Sequence, residues 1–136
     1  MLRIGLLFAA CLAIHIETGV RQALSQSIDL RRAQVVVPAD LSGPENKSVE
    51  LLVDEIQART RLQLSVANAW PDDLTVPVIA LGPVASLKKF GGSYAQEFSS
   101  EQQLLAEGFR IRTIAAGERA PAILIVGNDS RGVLFG

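Results

Sequence analysis

The chain has 136 residues, 49% of them hydrophobic and 20% charged, with 13 Lys plus Arg against 14 Asp plus Glu. That is one domain's worth of chain, too apolar for disorder, and a net charge of −1 supplies no basic field for nucleic acid.

Met1-Leu-Arg3 is a short basic start, and the apolar run Ile4 to Ile14 that follows has the length of a secretory h-region. It is too short to span a bilayer. The polar stretch Glu17 to Gln22 leads to Ala23-Leu24-Ser25, small residues at the spacing a signal peptidase reads, which places cleavage after Ser25 with Ser27 as runner-up. Phe8-Ala9-Ala10-Cys11 is set aside as a lipoprotein box, because Phe8 is too bulky for its first position. A buried N-terminal helix is the competing reading, and the lack of an amphipathic period counts against it. The expectation is a secreted or periplasmic protein, with residues 1–25 a signal peptide, residues 26–136 one domain, and no membrane association after cleavage.

Cleavage removes Arg3, Arg21 and Glu17 together with Cys11, His15 and Met1, leaving 111 residues with 11 basic and 13 acidic groups. Without His or Cys the domain has no Cys nucleophile, no His base, no Ser-His-Asp triad and no His or Cys metal ligand. Disulfides are excluded too, so the fold rests on its core.

Val35-Val36-Val37, ended by Pro38, predicts a first, buried strand. Ser42-Gly-Pro-Glu45 has the spacing of a capping box, with Pro44 tolerated in the first helical turn. Val49, Leu52, Val53, Ile56 and Thr60 then repeat on one helical face, predicting an amphipathic helix over a sheet. Leu62 to Val66 alternates at a period of two and predicts a second strand with one exposed face, parallel to the first across the helical crossover. Val76 to Leu81 predicts a third strand, Pro77 near its start or on an edge, broken by Gly82-Pro83. From Ala85 to Ser100 the pattern is weak. Gly91-Gly92-Ser93 predicts a flexible loop, Glu101 to Ala106 at most a short helix, and the whole region mobile surface. Gly108 to Ile114 alternates, with Phe109, Ile111 and Thr113 on one side and Arg110 and Arg112 on the other. With the apolar run Pro121 to Val126 it predicts an antiparallel hairpin. Gly127 to Gly132 is a tight loop, and Val133-Leu-Phe135 the first turn of another helix.

Gly127 and Gly132 stand at the G-x-x-x-x-G spacing of a phosphate loop, but the next positions are Val133 and Leu134 rather than Lys and Ser or Thr, and Asp129 would repel an anion. The reading preferred is a sharp turn in which Asn128 or Asp129 caps the helix, and Arg131 makes a local or interdomain salt bridge beside Gly132. Asp72 and Asp73 are adjacent in a loop, whereas a glycosidase holds two carboxyls about 5 to 9.5 Å apart across a sugar, so a solvated loop or cap is preferred. Asp54 and Glu55 read as the outer face of the helix. Trp70 is a candidate sugar platform against the plainer reading of a packing plug, and a glycan is the one small-molecule partner considered. Arg110 and Arg112 read as a solvated or interdomain face before an anion site. Catalytic, metal and cofactor residues are assigned to none.

Three features in one order resemble the small N-terminal α/β domain preceding the catalytic barrel of secreted β-N-acetylhexosaminidases and α-glucuronidases. They are the strand and helix from Val35 to Arg61, the third strand ending in Gly82-Pro83, and the closing Glu107-Gly-Phe-Arg-Ile-Arg112…Ile123-Leu-Ile-Val-Gly-Asn-Asp-Ser-Arg-Gly-Val-Leu-Phe-Gly136. The resemblance implies a two-layer α/β (α+β) fold, a mixed sheet of about five strands with helices on it, supporting a (β/α)₈ barrel that holds the catalytic carboxylates. That barrel, the implied partner, is not in this sequence, and the resembled domain's final helix would be cut short. The chain then reads as a non-catalytic piece of a longer glycoside hydrolase. A free-standing periplasmic binding or interaction module is the alternative, and a small self-sufficient enzyme is third.

Overall fold

The computed structural model describes residues 28–99 and 105–136. The signal peptide expected over residues 1–25 lies outside them, as does most of the short helix expected at Glu101 to Ala106. Leu105 and Ala106, its described part, form a turn closed by a bond from the Gly108 N–H to the Leu105 carbonyl, 3 residues back, at 2.9 Å.

Five strands form one sheet in the order β2-β1-β3-β5-β4. They are β1 (Gln34–Val36), β2 (Ser65–Ala67), β3 (Val78–Pro83), β4 (Phe109–Ile114) and β5 (Ala122–Gly127). β2, β1, β3 and β5 run parallel, and β4 pairs antiparallel with β5, Ile111 opposite Ile125. The parallel crossover, the hairpin and the mixed α/β sheet are as the sequence leads one to expect. Most strand bounds move by a residue or two, but β2 begins at Ser65, three residues later than expected, and on this edge Ser65 and Val66 are both exposed rather than one face only. Gly82 and Pro83 do not break β3 but continue it, opposite Val126 and Gly127. Pro77 precedes β3, where it lacks only a donor, and its carbonyl accepts the Gln34 N–H at 2.9 Å.

Helix α1 (Gly43–Thr60) follows β1. Glu45 closes its start by accepting the Ser42 N–H at 2.8 Å. Arg61, in the left-handed region at φ 63°, ends it by donating to the Gln57 carbonyl. Val49, Leu52, Val53 and Ile56 pack on the sheet face formed by Val35, Val37, Ile79, Leu81 and Ile125, where Val133 of α4 (Ser130–Phe135) joins them.

The other face was expected to lie against mobile surface, and this is corrected. Helices α2 (Leu87–Phe90) and α3 (Ala95–Ser99) bury Leu87, Phe90, Ala95 and Phe98 on Val36, Val78, Ala80, Ala122, Leu124 and Val126. Phe90 is wholly buried, at 0% exposure. The sheet is therefore covered on both sides, one layer more than the two anticipated, as parallel strands with continuous apolar runs require.

Candidate functional site

The sharpest sequence motif, Gly127 to Gly132, is a turn whose anion position is taken by the protein's own carboxylate. Asp129 is the N-cap of α4. Its Oδ1 accepts the Gly132 N–H at 2.8 Å and its Oδ2 the Glu107 N–H at 2.9 Å. These are the kind of backbone donors that a phosphate loop turns toward its ligand. The two donors, Glu107 first, hold the Asp129 carboxyl below the usual carboxylate range. Arg131 pairs with Glu107, which sits in the left-handed region at φ 61°. The Asn128 N–H donates to the Gly108 carbonyl at 2.8 Å. Gly132 approaches that strand so closely that a Cβ would come within 2.2 Å of the Gly108 oxygen.

A second carboxylate locks the neighbouring helix start. Glu45, 7% exposed, accepts the Ser130 hydroxyl at 2.9 Å as well as the Ser42 N–H, tying α1 to α4 across the C-terminal end of the sheet. Both groups act as internal anions at helix starts, where negative charge is favoured. Because the Asp129 carboxyl is depressed in the fold, its contribution to stability is present above the ordinary carboxyl pKa of about 3.9 and is lost as pH falls through its lower folded value. Asp129→Asn should accordingly flatten the acid limb of the stability curve, measured as urea midpoint between about pH 5 and pH 2. An unchanged limb would show that the cap carries no charge-dependent role.

Strand order reverses between β1 and β3, the place where open α/β sheets ordinarily bind ligands. Here it is filled. A Cβ on Gly82 would come within 2.8 Å of the Phe90 ring and 3.0 Å of Pro38, and Lys89 bridges to Asp40 over the top.

The remaining sequence candidates do not converge. The Trp70 indole donates to the Phe90 carbonyl at 2.7 Å and lies 5.7 Å from Tyr94, its ring against Gly92, where φ is +55° and a Cβ would approach to 2.6 Å. Asp73 accepts the Thr75 N–H and hydroxyl at 2.9 and 2.7 Å, closing its own loop beside Asp72. Asp54 and Glu55 lie on the exposed side of α1. Arg110 and Arg112 are half-buried, their guanidinium carbons 5.7 and 6.0 Å from the Phe98 ring centre. Among the described residues no three His, Cys, Asp or Glu side chains gather as a metal set, and no helix is long and apolar enough to cross a membrane.

One open surface among the described residues is apolar. Turning Arg110 and Arg112 toward Phe98 leaves Phe109 and Ile111 on the α1 and α4 side, 43% and 51% exposed, beside Leu134 and Phe135 at 44% and 57%. A groove of about 390 Å³ continues this strip between α1 and α4, along Leu51, Leu52, Leu81 and Ile125. Its α4 wall and the strand side chains could be read from the alternation.

Comparisons with known proteins give this fold a family. The profile described as Glycosyl hydrolase family 67 N-terminus matches residues 31–136. The chain belongs to that family. It is also 29% identical over 104 residues to Alpha-glucuronidase A of Emericella nidulans, covering 75% of this chain and 11% of that protein. This family 67 N-terminal domain thus spans about a tenth of the relative's length. The α-glucuronidase side of the expected resemblance is supported, and the hexosaminidase side rests on the sequence pattern alone.

Proposed function

We propose that this family 67 domain is a non-catalytic support in an exported α-glucuronidase-type glycoside hydrolase, holding a separate catalytic barrel through the face that carries Phe109, Ile111, Leu134 and Phe135. The observation that carries the reading is the pairing of an N-terminal family match with a sheet whose ligand positions are plugged by Phe90, Pro38, Glu45 and Asp129. Large exposed apolar patches mark interaction sites, and glycosidic cleavage ordinarily needs two placed carboxyls, which Asp72 and Asp73 do not provide as loop neighbours. The experiment is a chimera in which this domain replaces the matching N-terminal part of Alpha-glucuronidase A. It is expected to recover activity on an aryl α-glucuronide that the N-terminally deleted enzyme lacks, and Ile111→Glu with Phe135→Glu should remove that recovery. A chimera as inactive as the deletion would overturn the support role.

Export rests on Arg3, the run Leu6 to Ile14 and Ala23-x-Ser25. Mass spectrometry of the exported protein should find Gln26 at the N-terminus, or Ile28 if the second site is used. An intact Met1 in the cytosol would remove export from the proposal.

A further inference from the structure

Helix α1 ends on a side chain that strains the backbone and that the fold does not use. Arg61 sits at φ 63° and ψ 12°, the left-handed turn that closes the helix, where a glycine would give the same N–H bond to the Gln57 carbonyl without crowding from a Cβ. Backbone strain of this kind clusters at binding sites. Arg59 is tied to Glu55, whereas the Arg61 guanidinium has no hydrogen bond or ion pair among the described residues. It stands at the end of a row. Asp54, Gln57, Ala58 and Arg61 succeed one another at helical-neighbour spacing on one flank of α1, and with Gln63 they line an open hollow of about 580 Å³. All five are exposed. From Asp54 to Arg61 the row runs about 10 Å at 1.5 Å per helical residue.

We infer that this hollow binds a saccharide that carries a carboxylate, with the carboxylate on Arg61 and the hydroxyls of the adjoining unit on Gln57, Gln63 and Asp54. The guanidinium fork matches a carboxylate through two parallel bonds. The two carboxamides offer both donors and acceptors to sugar hydroxyls, and the Asp54 carboxylate accepts from them. Ala58 leaves the floor between these groups bare. A cation at one end, neutral amides in the middle and an anion at the other end suit a ligand charged at a single end. An acidic peptide fits less well, because its next carboxylate would meet Asp54 and be repelled. That the saccharide is an acidic one rests on the α-glucuronidase-type reading above. To that reading the site adds a hold on the glycan that is separate from bond cleavage.

The test titrates the full chain with glucuronic acid, an α-linked glucuronosyl disaccharide, glucose and acetate, followed by the amide signals in NMR spectra. Glucuronic acid is expected to shift the Arg61 and Gln63 signals with a Kd of about 1 mM, and glucose and acetate to bind at least about tenfold more weakly. The disaccharide should bind about tenfold more tightly than the monosaccharide, a gain that Asp54→Asn and Gln57→Ala remove. Arg61→Gly should weaken glucuronate binding at least about tenfold while leaving Tm the same or higher, since it relieves the left-handed strain. Acetate binding as tightly as glucuronate would reduce the site to a simple anion contact and overturn the inference. So would unchanged binding by Arg61→Gly, shifts confined to other residues, or a lowered Tm that makes Arg61 a structural group. Glucuronate binding beside a failed chimera would overturn the support role alone, and a working chimera without glucuronate binding would overturn this site alone.

Discussion

Phe90→Ala is expected to destabilise the domain by about 3–5 kcal/mol, the range for removing a buried aromatic ring. That is a large part of the about 5–15 kcal/mol holding a domain of this size together. The ring is wholly buried, packs in the cluster with Leu87, Phe98 and Leu124, and occupies the point where strand order reverses. Its backbone carbonyl also receives the Trp70 indole, so a collapse around the cavity would be felt in that loop. Chemical denaturation followed by tryptophan fluorescence reads both effects, since the chain has a single Trp. A loss within about 0.5 kcal/mol, the usual size for a surface position, would mean that the segment from Val84 to Ser99 is not part of the core.

Gly132→Ala is expected to cost about 3 kcal/mol, at the upper end for forcing atoms into a packed site. The added carbon would stand 2.2 Å from the Gly108 carbonyl oxygen, which also accepts the Asn128 N–H, so backbone rather than a flexible side chain would have to move. Gly127→Ala meets the Val133 nitrogen at 2.2 Å and should behave alike. Gly117, with nothing within 4 Å of its Cβ position, is the internal control, expected to change stability by less than about 0.5 kcal/mol as Ala. These losses should be the same with and without inorganic phosphate. A phosphate-dependent difference between wild type and Gly132→Ala would restore the phosphate-loop reading that the Asp129 carboxylate displaces.

How much of this was legible in the sequence depends on whether the signal was local. The capping box at Ser42 and Glu45, the stripe on α1 from Val49 to Ile56 and the hairpin from Gly108 to Val126 follow from periods and turn residues, and they appear where those place them, whereas Thr60, expected to end the stripe, is exposed and bonds back to the Ile56 carbonyl. Helices α2 and α3 were hidden because each is shorter than two turns and Gly91-Gly92 interrupts them. Yet Leu87, Phe90, Tyr94 and Phe98 keep a helical spacing across that break, and this was the available clue. The alternation in β4 correctly separates Phe109 and Ile111 from Arg110 and Arg112. The arginines turn toward the core side because their stems and planar heads can cover Phe98, an arrangement that depends on a residue far away in sequence. Glu45 was legible as a cap but not as the tie to Ser130, since that contact joins residues 85 positions apart.

The claim that this domain performs no chemistry of its own is tested most directly by turnover. Purified full-length chain, freed of host glycosidases, is incubated with aryl α-glucuronides and aryl β-N-acetylglucosaminides and the released aryl alcohol is measured over hours. The expected result is release no faster than in buffer, the same for wild type, Asp72→Asn and Asp73→Asn. Hydrolysis by the wild-type chain that either substitution abolishes would contradict the account and make the Trp70 to Asp73 loop an active site.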